Sequence, residues 1–191
     1  MDIKNFVACA VGLVKVINGH VQQQFYSLIN PIPDSRDALN TAVHGITLDM
    51  VADAPTFKQL FPLLKSFIND LPIVCHNRGA DINIMRRCME HYALTGIDPN
   101  NNYCTFEMTG LSLSSCCKQY GITMGEHHNA LNDAMACAKV FLACQGNIVA
   151  TTFRGGIAAA MASAAAKKFE RSTLNPLDDD QVLNKDTVFF H

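Results

Sequence analysis

Two runs rich in β-branched and apolar residues open the chain, joined at Asn18-Gly19, and this unit constrains the fold more than any other stretch. Residues 6–17 read Phe-Val-Ala-Cys-Ala-Val-Gly-Leu-Val-Lys-Val-Ile, and residues 20–29 return with Phe25, Tyr26, Leu28 and Ile29 apolar. Asn-Gly favours the positive φ angles of a two-residue turn, so the pair predicts a β-hairpin. Beyond the hairpin the pattern alternates. Residues 55–68 carry Phe57, Leu60, Phe61, Leu64, Phe67 and Ile68 at helical spacing. Residues 71–75 read as a buried strand, 81–92 as a helix, 103–108 as a short strand, 112–120 as a helix, and 128–143 as a small-residue helix. Thr47 is placed to cap a short turn into Ala52. A hairpin followed by alternating helices and strands predicts an α/β domain, with a mixed sheet and helices on its faces.

Composition narrows the function classes. Of 191 residues, 49% are hydrophobic and 17% charged, so the chain can bury a core. The formal net charge of -2 supplies no global basic field, and any nucleic-acid contact must be local. The 8 cysteines form no C-x-x-C pair, which predicts reduced, buried thiols in a cytoplasmic protein and argues against a zinc site of that kind. The N-terminus does not read as a signal peptide, and the apolar stretch 157–166 is too short to span a bilayer.

After Gly146 the character changes. Residues 157–171 predict an Ala-rich helix, and 173–185 read as linker. Thr187-Val188-Phe189-Phe190-His191 reads as a strand that cannot bury itself alone, hence a disordered end or the stub of a further domain. The expected organisation is a domain over 1–146, a helical extension over 147–171, and a linker with stub over 172–191.

Three stretches carry candidate chemistry. His127-His128-Asn129-Ala130-Leu131-Asn132-Asp133-Ala134 sets a histidine at a helix mouth and an acid in its first turns. A proton-exchanging imidazole near a carboxylate that can hold a cation suits hydrolysis. His76-Asn77-Arg78-Gly79-Ala80-Asp81 joins a strand end to a helix start, where ligands gather in open α/β sheets. Taken alone, Asp81 reads equally well as an acid stabilising a helix N-terminus. His44, in Val43-His44-Gly45-Ile46-Thr47, reads as a histidine in an ordinary loop.

Together and in order, these stretches resemble the DnaQ-like (DEDDh) 3′–5′ exonucleases, the family that includes the proofreading subunit of bacterial DNA polymerase III. The matching pieces are Val43 to Thr47, Ala54-Pro55-Thr56-Phe57, Pro72-Ile73-Val74-Cys75-His76-Asn77 with Asp81, Tyr103-Cys104-Thr105, and the His127 to Ala134 stretch. The last contains H-x-A-L-x-D-A, the family's third motif, which is highly specific. The resemblance implies a ribonuclease-H-like fold and a site of four carboxylates holding two Mg²⁺ or Mn²⁺ ions. It implies that His128 is the general base, that Asp81 and Asp133 are metal ligands, and that His76 and Asn77 contact substrate. Implied partners are nucleic-acid 3′ ends, chiefly single-stranded DNA, and a DNA polymerase or repair complex, with no membrane.

One departure matters. The family's first motif, Asp-x-Glu on its first strand, is absent: no Asp-x-Glu precedes Asp34, and Ala80 stands where the family has an aromatic. Two expectations follow. The site lacks half its carboxylates, with Glu126 as a substitute ligand, so hydrolysis is weak or lost. Alternatively the chain is an inactive nucleic-acid- or partner-binding domain, or a truncated remnant. The fold also lacks a strand. Residues 6–17 can fill only one of two neighbouring places in the sheet, which predicts fused strands, strain, repacking, or a homo-oligomer formed by strand exchange. The closing Thr-Val-Phe-Phe resembles the point where such exonucleases continue into a BRCT domain.

Overall fold

A computed structural model describes residues 8–32, 41–145 and 186–191. The hairpin forms as expected. Strand β1 (Ala10–Ile17) pairs antiparallel with β2 (His20–Leu28), from Ala10 opposite Leu28 to Ile17 opposite His20, with an irregularity between Lys15 and Val16. Asn18 and Gly19 both have positive φ, 51° and 75°, as the turn requires.

Local signals also set the helices. Thr47 caps the short α2 (Leu48–Val51), which follows α1 (Thr41–His44). Helix α3 (Phe57–Ile68) begins with a capping box, Thr56 and Gln59 each satisfying the other's backbone N–H. Strand β3 (Ile73–Cys75) leads into α4 (Asp81–His91). The strand expected over 103–108 is shorter and shifted: β4 is Asn102–Cys104, and the chain then turns at once into α5 (Thr105–Thr109). There the Thr109 hydroxyl donates to the Thr105 carbonyl at 2.7 Å, and Gly110, at φ 68°, ends the helix. Helices α6 (Leu113–Tyr120) and α7 (Ala130–Cys144) complete the helical layers.

The sheet is mixed, in the order β2-β1-β5-β3-β4, and its central member is the end of the chain. Strand β5 (Thr187–Phe190) runs antiparallel to β1, Leu13 opposite Phe190, and parallel to β3, Val74 opposite Phe189. Alternation then sorts its side chains. Val188 and Phe190 join the core under α3 and α4, with Leu13, Phe61, Ile82 and Met85. Phe189 joins the opposite core, with Val14, Val74, Cys137 and Phe141 of the α6–α7 layer. All four β5 residues are buried. A strand covered on both faces should be largely apolar, and Val188, Phe189 and Phe190 supply this beside the buried Thr187. Burying its three large side chains contributes roughly 5–8 kcal/mol.

This placement corrects two expectations. Thr187 to Phe190 is a strand of the main sheet, so the folded unit joins residues 187–190 to the body built from 8–145. The strand-deficient sheet is also not left open: β1 takes the place beside β2, and β5 takes the next. The expectations for residues 1–7, the Ala-rich helix and the linker fall outside the described residues. Among the described residues, no helix is long and apolar enough to cross a membrane.

Gly12 locks this centre. Its N–H and C=O bond the C=O and N–H of His191, at 2.9 and 3.1 Å. A Cβ on Gly12 would collide with the backbone of Ala130. The glycine therefore lets α7 approach β1 closely, and this approach carries the first turn of α7 to the end of β5.

Candidate metal and catalytic centre

Three element ends converge: the end of β5 with His191, the start of α4 with Asp81, and the start of α7 with Asp133. Asn129 caps α7, its side-chain oxygen accepting from Leu131 and Asn132 at 3.2 Å each. That fixes the first turn, and Asp133 within it is 0% exposed. A carboxylate so buried needs compensating partners. Its Oδ1 lies 3.1 Å from His127 Nδ1, its Oδ2 accepts the His128 backbone N–H at 3.0 Å, and His191 Nε2 lies 3.4 Å from that same Oδ2.

Asp81 occupies the first position of α4. Its Oδ2 accepts the Asn77 N–H at 3.1 Å, and its Oδ1 faces His191 Nδ1 at 3.8 Å. Burial raises its carboxyl pKa above the ordinary value, against the opposing pull of His191. His191 thus stands between the two acids, one ring nitrogen toward each.

The two adjacent histidines divide their roles. The rings of His127 and His128 stack at 3.9 Å. Only His127 turns a ring nitrogen onto Asp133; His128 has φ 67° and reaches that acid through its backbone. His127 Nδ1 or Nε2, a His128 ring nitrogen and an Asp133 oxygen all lie within 4.8 Å of one another, a set that could hold a metal ion.

His76 is buried behind the site. Its Nδ1 lies 2.9 Å from the Thr105 hydroxyl, whose own hydrogen can go to the Cys75 carbonyl at 3.3 Å. Its Nε2 is buried without a hydrogen-bond partner. Burial first and His191 second lower the His76 pKa to about 4. Phe106 meets the His76 ring edge-on at 6.0 Å and is 48% exposed. Asn77 caps the turn into α4, its carbonyl accepting from Ala80 and Asp81. Glu126 is exposed and lies outside the metal-capable set, its backbone carbonyl accepting from the Asn132 side chain at 3.2 Å. His44 leans away from solvent, its Nε2 3.7 Å from Cys9 Sγ and its Nδ1 accepting from Ile46.

The sequence reading thus found Asp81, Asp133, His128 and His76 in one neighbourhood. It missed His127, which only the turn geometry distinguishes from His128, and Phe106. It also missed His191, whose signal was a polar residue directly after the apolar run Val188-Phe189-Phe190.

A site for two hard divalent ions needs several anionic oxygens. Among the described residues two carboxylates, Asp81 and Asp133, converge here with imidazoles beside them, a donor set that does not fit a pair of Mg²⁺ ions.

Comparison with known proteins agrees with the architecture. A family model described as Exonuclease matches residues 1–141. A bifunctional exonuclease/endonuclease protein of Mycobacterium tuberculosis is 31% identical over 143 residues, covering 68% of this chain and 21% of that protein. The PolC-type DNA polymerase III of Thermotoga maritima is 28% identical over 141 residues, covering 69% of this chain and 10% of the polymerase. The chain therefore spans about a fifth of the first relative and about a tenth of the second. A solved structure of Exonuclease X in complex with 5′ overhanging duplex DNA is similar at a TM-score of 0.57 and 24% identity, covering 77% of this chain and 87% of that one. The shared fold is the ribonuclease-H-like mixed sheet flanked by helices.

Proposed function

The chain belongs to the DnaQ-like exonuclease family, and on that premise we propose that it is a 3′–5′ exonuclease-type domain that engages nucleic-acid 3′ ends but hydrolyses them weakly or not at all. The carrying observation is the imidazole of His191 between Asp81 and Asp133. By the resemblance, the central strand of this sheet should bring two carboxylates to that point. Strand β5 fills a central place in this chain and brings a histidine.

What remains supports binding better than turnover. His128 is retained as the candidate base, with Asp81 and Asp133 as candidate ligands, but Asp133 is already engaged by two imidazoles and a backbone N–H. Phe106 offers an exposed ring beside the site on which a terminal base can stack. His76 and Asn77 are candidate substrate contacts. Single-stranded DNA is the substrate class of choice, and a polymerase or repair assembly the candidate setting.

The test is nucleotide release from a 3′-labelled single-stranded oligonucleotide with Mg²⁺, Mn²⁺ or chelator, beside an Asp81→Ala/His128→Ala control. Binding is measured separately by anisotropy. Oligonucleotide binding with little or no release is expected. Vigorous metal-dependent release that the control abolishes would overturn the impaired-site reading, and absence of binding would overturn the role at 3′ ends.

A further inference from the structure

We propose that Arg78 binds a phosphodiester of the strand whose base stacks on Phe106, and that Glu107 holds the place of that phosphate in the free protein. The inference rests on reading the site as one for nucleic-acid 3′ ends and adds the residue that grips the backbone there. Three observations carry it.

The first is position. Arg78 lies in the turn from His76, just after β3, to Asp81 at the start of α4. Asn77 and Gly79 on either side of it are exposed. Its NH1 meets Glu107 Oε2 at 3.0 Å, and Glu107 follows Phe106 directly in α5. The guanidinium and the exposed ring therefore share one rim of the site. A cation beside an aromatic ring suits a single strand, because the ring takes a base and the cation takes the backbone.

The second is preorganisation. Arg78 Nε donates to Asn102 Oδ1 at 2.7 Å, and the Asn102 amide in turn donates to the Pro99 carbonyl at 2.6 Å. The head of a long side chain is thus oriented before a ligand arrives, so less freedom is lost on binding. With Nε given to Asn102, the terminal nitrogens are left to face an anion.

The third is the present occupant. The side chains of Arg78 and Glu107 are 42% and 51% exposed. An ion pair this open to water contributes little to stability, so the fold does not depend on it. Carboxylate and phosphate offer a guanidinium the same kind of paired anionic oxygens. Glu107 is then a competitor that the strand displaces, and its charge holds affinity down.

The test measures anisotropy of a labelled single-stranded oligonucleotide against the 191-residue chain over a range of salt, with Ca²⁺ in place of Mg²⁺. Arg78→Ala should weaken binding roughly 3–10-fold and reduce the slope of log K against log salt by about 0.7. Arg78→Lys should keep the slope and recover part of the affinity. Glu107→Gln should tighten binding by about 2–5-fold. Lys65→Ala, in the last turn of α3 beside Gly96, should change affinity less than about twofold. A second series places one uncharged methylphosphonate at each linkage in turn. In the parent one linkage near the 3′ end should weaken binding, and in Arg78→Ala that penalty should vanish, which a merely structural loss would not produce. Circular dichroism checks the fold of each variant. Parental binding that Arg78→Ala leaves unchanged overturns the proposal alone, as do methylphosphonate penalties equal in parent and variant, or an equal loss in Lys65→Ala. Absence of parental binding overturns the role at 3′ ends and this proposal with it.

Discussion

His191 Nε2 stands 3.4 Å from Asp133 Oδ2, although one residue follows the last strand and the other lies in the first turn of the last described helix. The contact exists because β5 lies in the middle of the sheet, between β1 and β3. Stability and site are therefore coupled through one short strand.

Phe189 is the sharpest probe of that coupling. It is 0% exposed and packs edge-on against Phe141, ring centroids 5.5 Å apart. Phe189→Ala should cost about 3–5 kcal/mol in chemical denaturation. Val21→Ala, on the exposed outer strand, should cost under about 1 kcal/mol. Similar small losses for both would mean that β5 does not hold the sheet together in solution.

Gly12→Ala should destabilise the fold by about 2–3 kcal/mol. The added methyl meets the Ala130 backbone rather than a movable side-chain tip, so relief requires α7 to shift away from β1. Equilibrium unfolding measures the loss. A variant as stable as the parent would show that this approach is looser than described.

Lower pH should destabilise the protein through His76. Its folded pKa is lowered to about 4 from 6.5, so the unfolded chain takes up the proton first. The contribution is intact above pH 6.5 and is lost as the pH falls from there towards 4. At pH 5 these two values correspond to about 2 kcal/mol. Asp81 acts in the opposite sense. Its folded pKa is raised, so the cost of its buried charge is relieved as the pH drops through that raised value. Melting curves at neutral and mildly acid pH should show a decline that His76→Asn flattens; an equal decline in the variant would remove His76 as the cause.

Phe106 should matter for binding and little for folding. Half-exposed and set edge-on to His76, it can stack one base. Phe106→Ala should weaken single-stranded oligonucleotide binding by about 1–3 kcal/mol while leaving the melting temperature nearly unchanged. Unaltered affinity would place the strand elsewhere on the surface.

Local chemistry made much of this molecule legible in advance. Asn18-Gly19 dictates a turn because it tolerates positive φ, Thr56 with Gln59 and Asn129 satisfy the orphan N–H groups of helix starts, and the apolar spacing of α3 fixes its buried face. These signals operate within a few residues, so the sequence alone determined them, and it also singled out the two acids and His128. Cys104 shows the limit: an extended run was expected to continue through Met108, and buried Thr105 instead opens a helix that Gly110 closes. The placement of β5 lay further out of reach. Thr-Val-Phe-Phe states that a strand wants cover on both faces, but not which backbone will pair with it, because pairing is decided by vacant hydrogen-bonding edges far away in the chain. Only the tertiary structure supplied that vacancy, between β1 and β3, and with it the approach of His191 to Asp81 and Asp133.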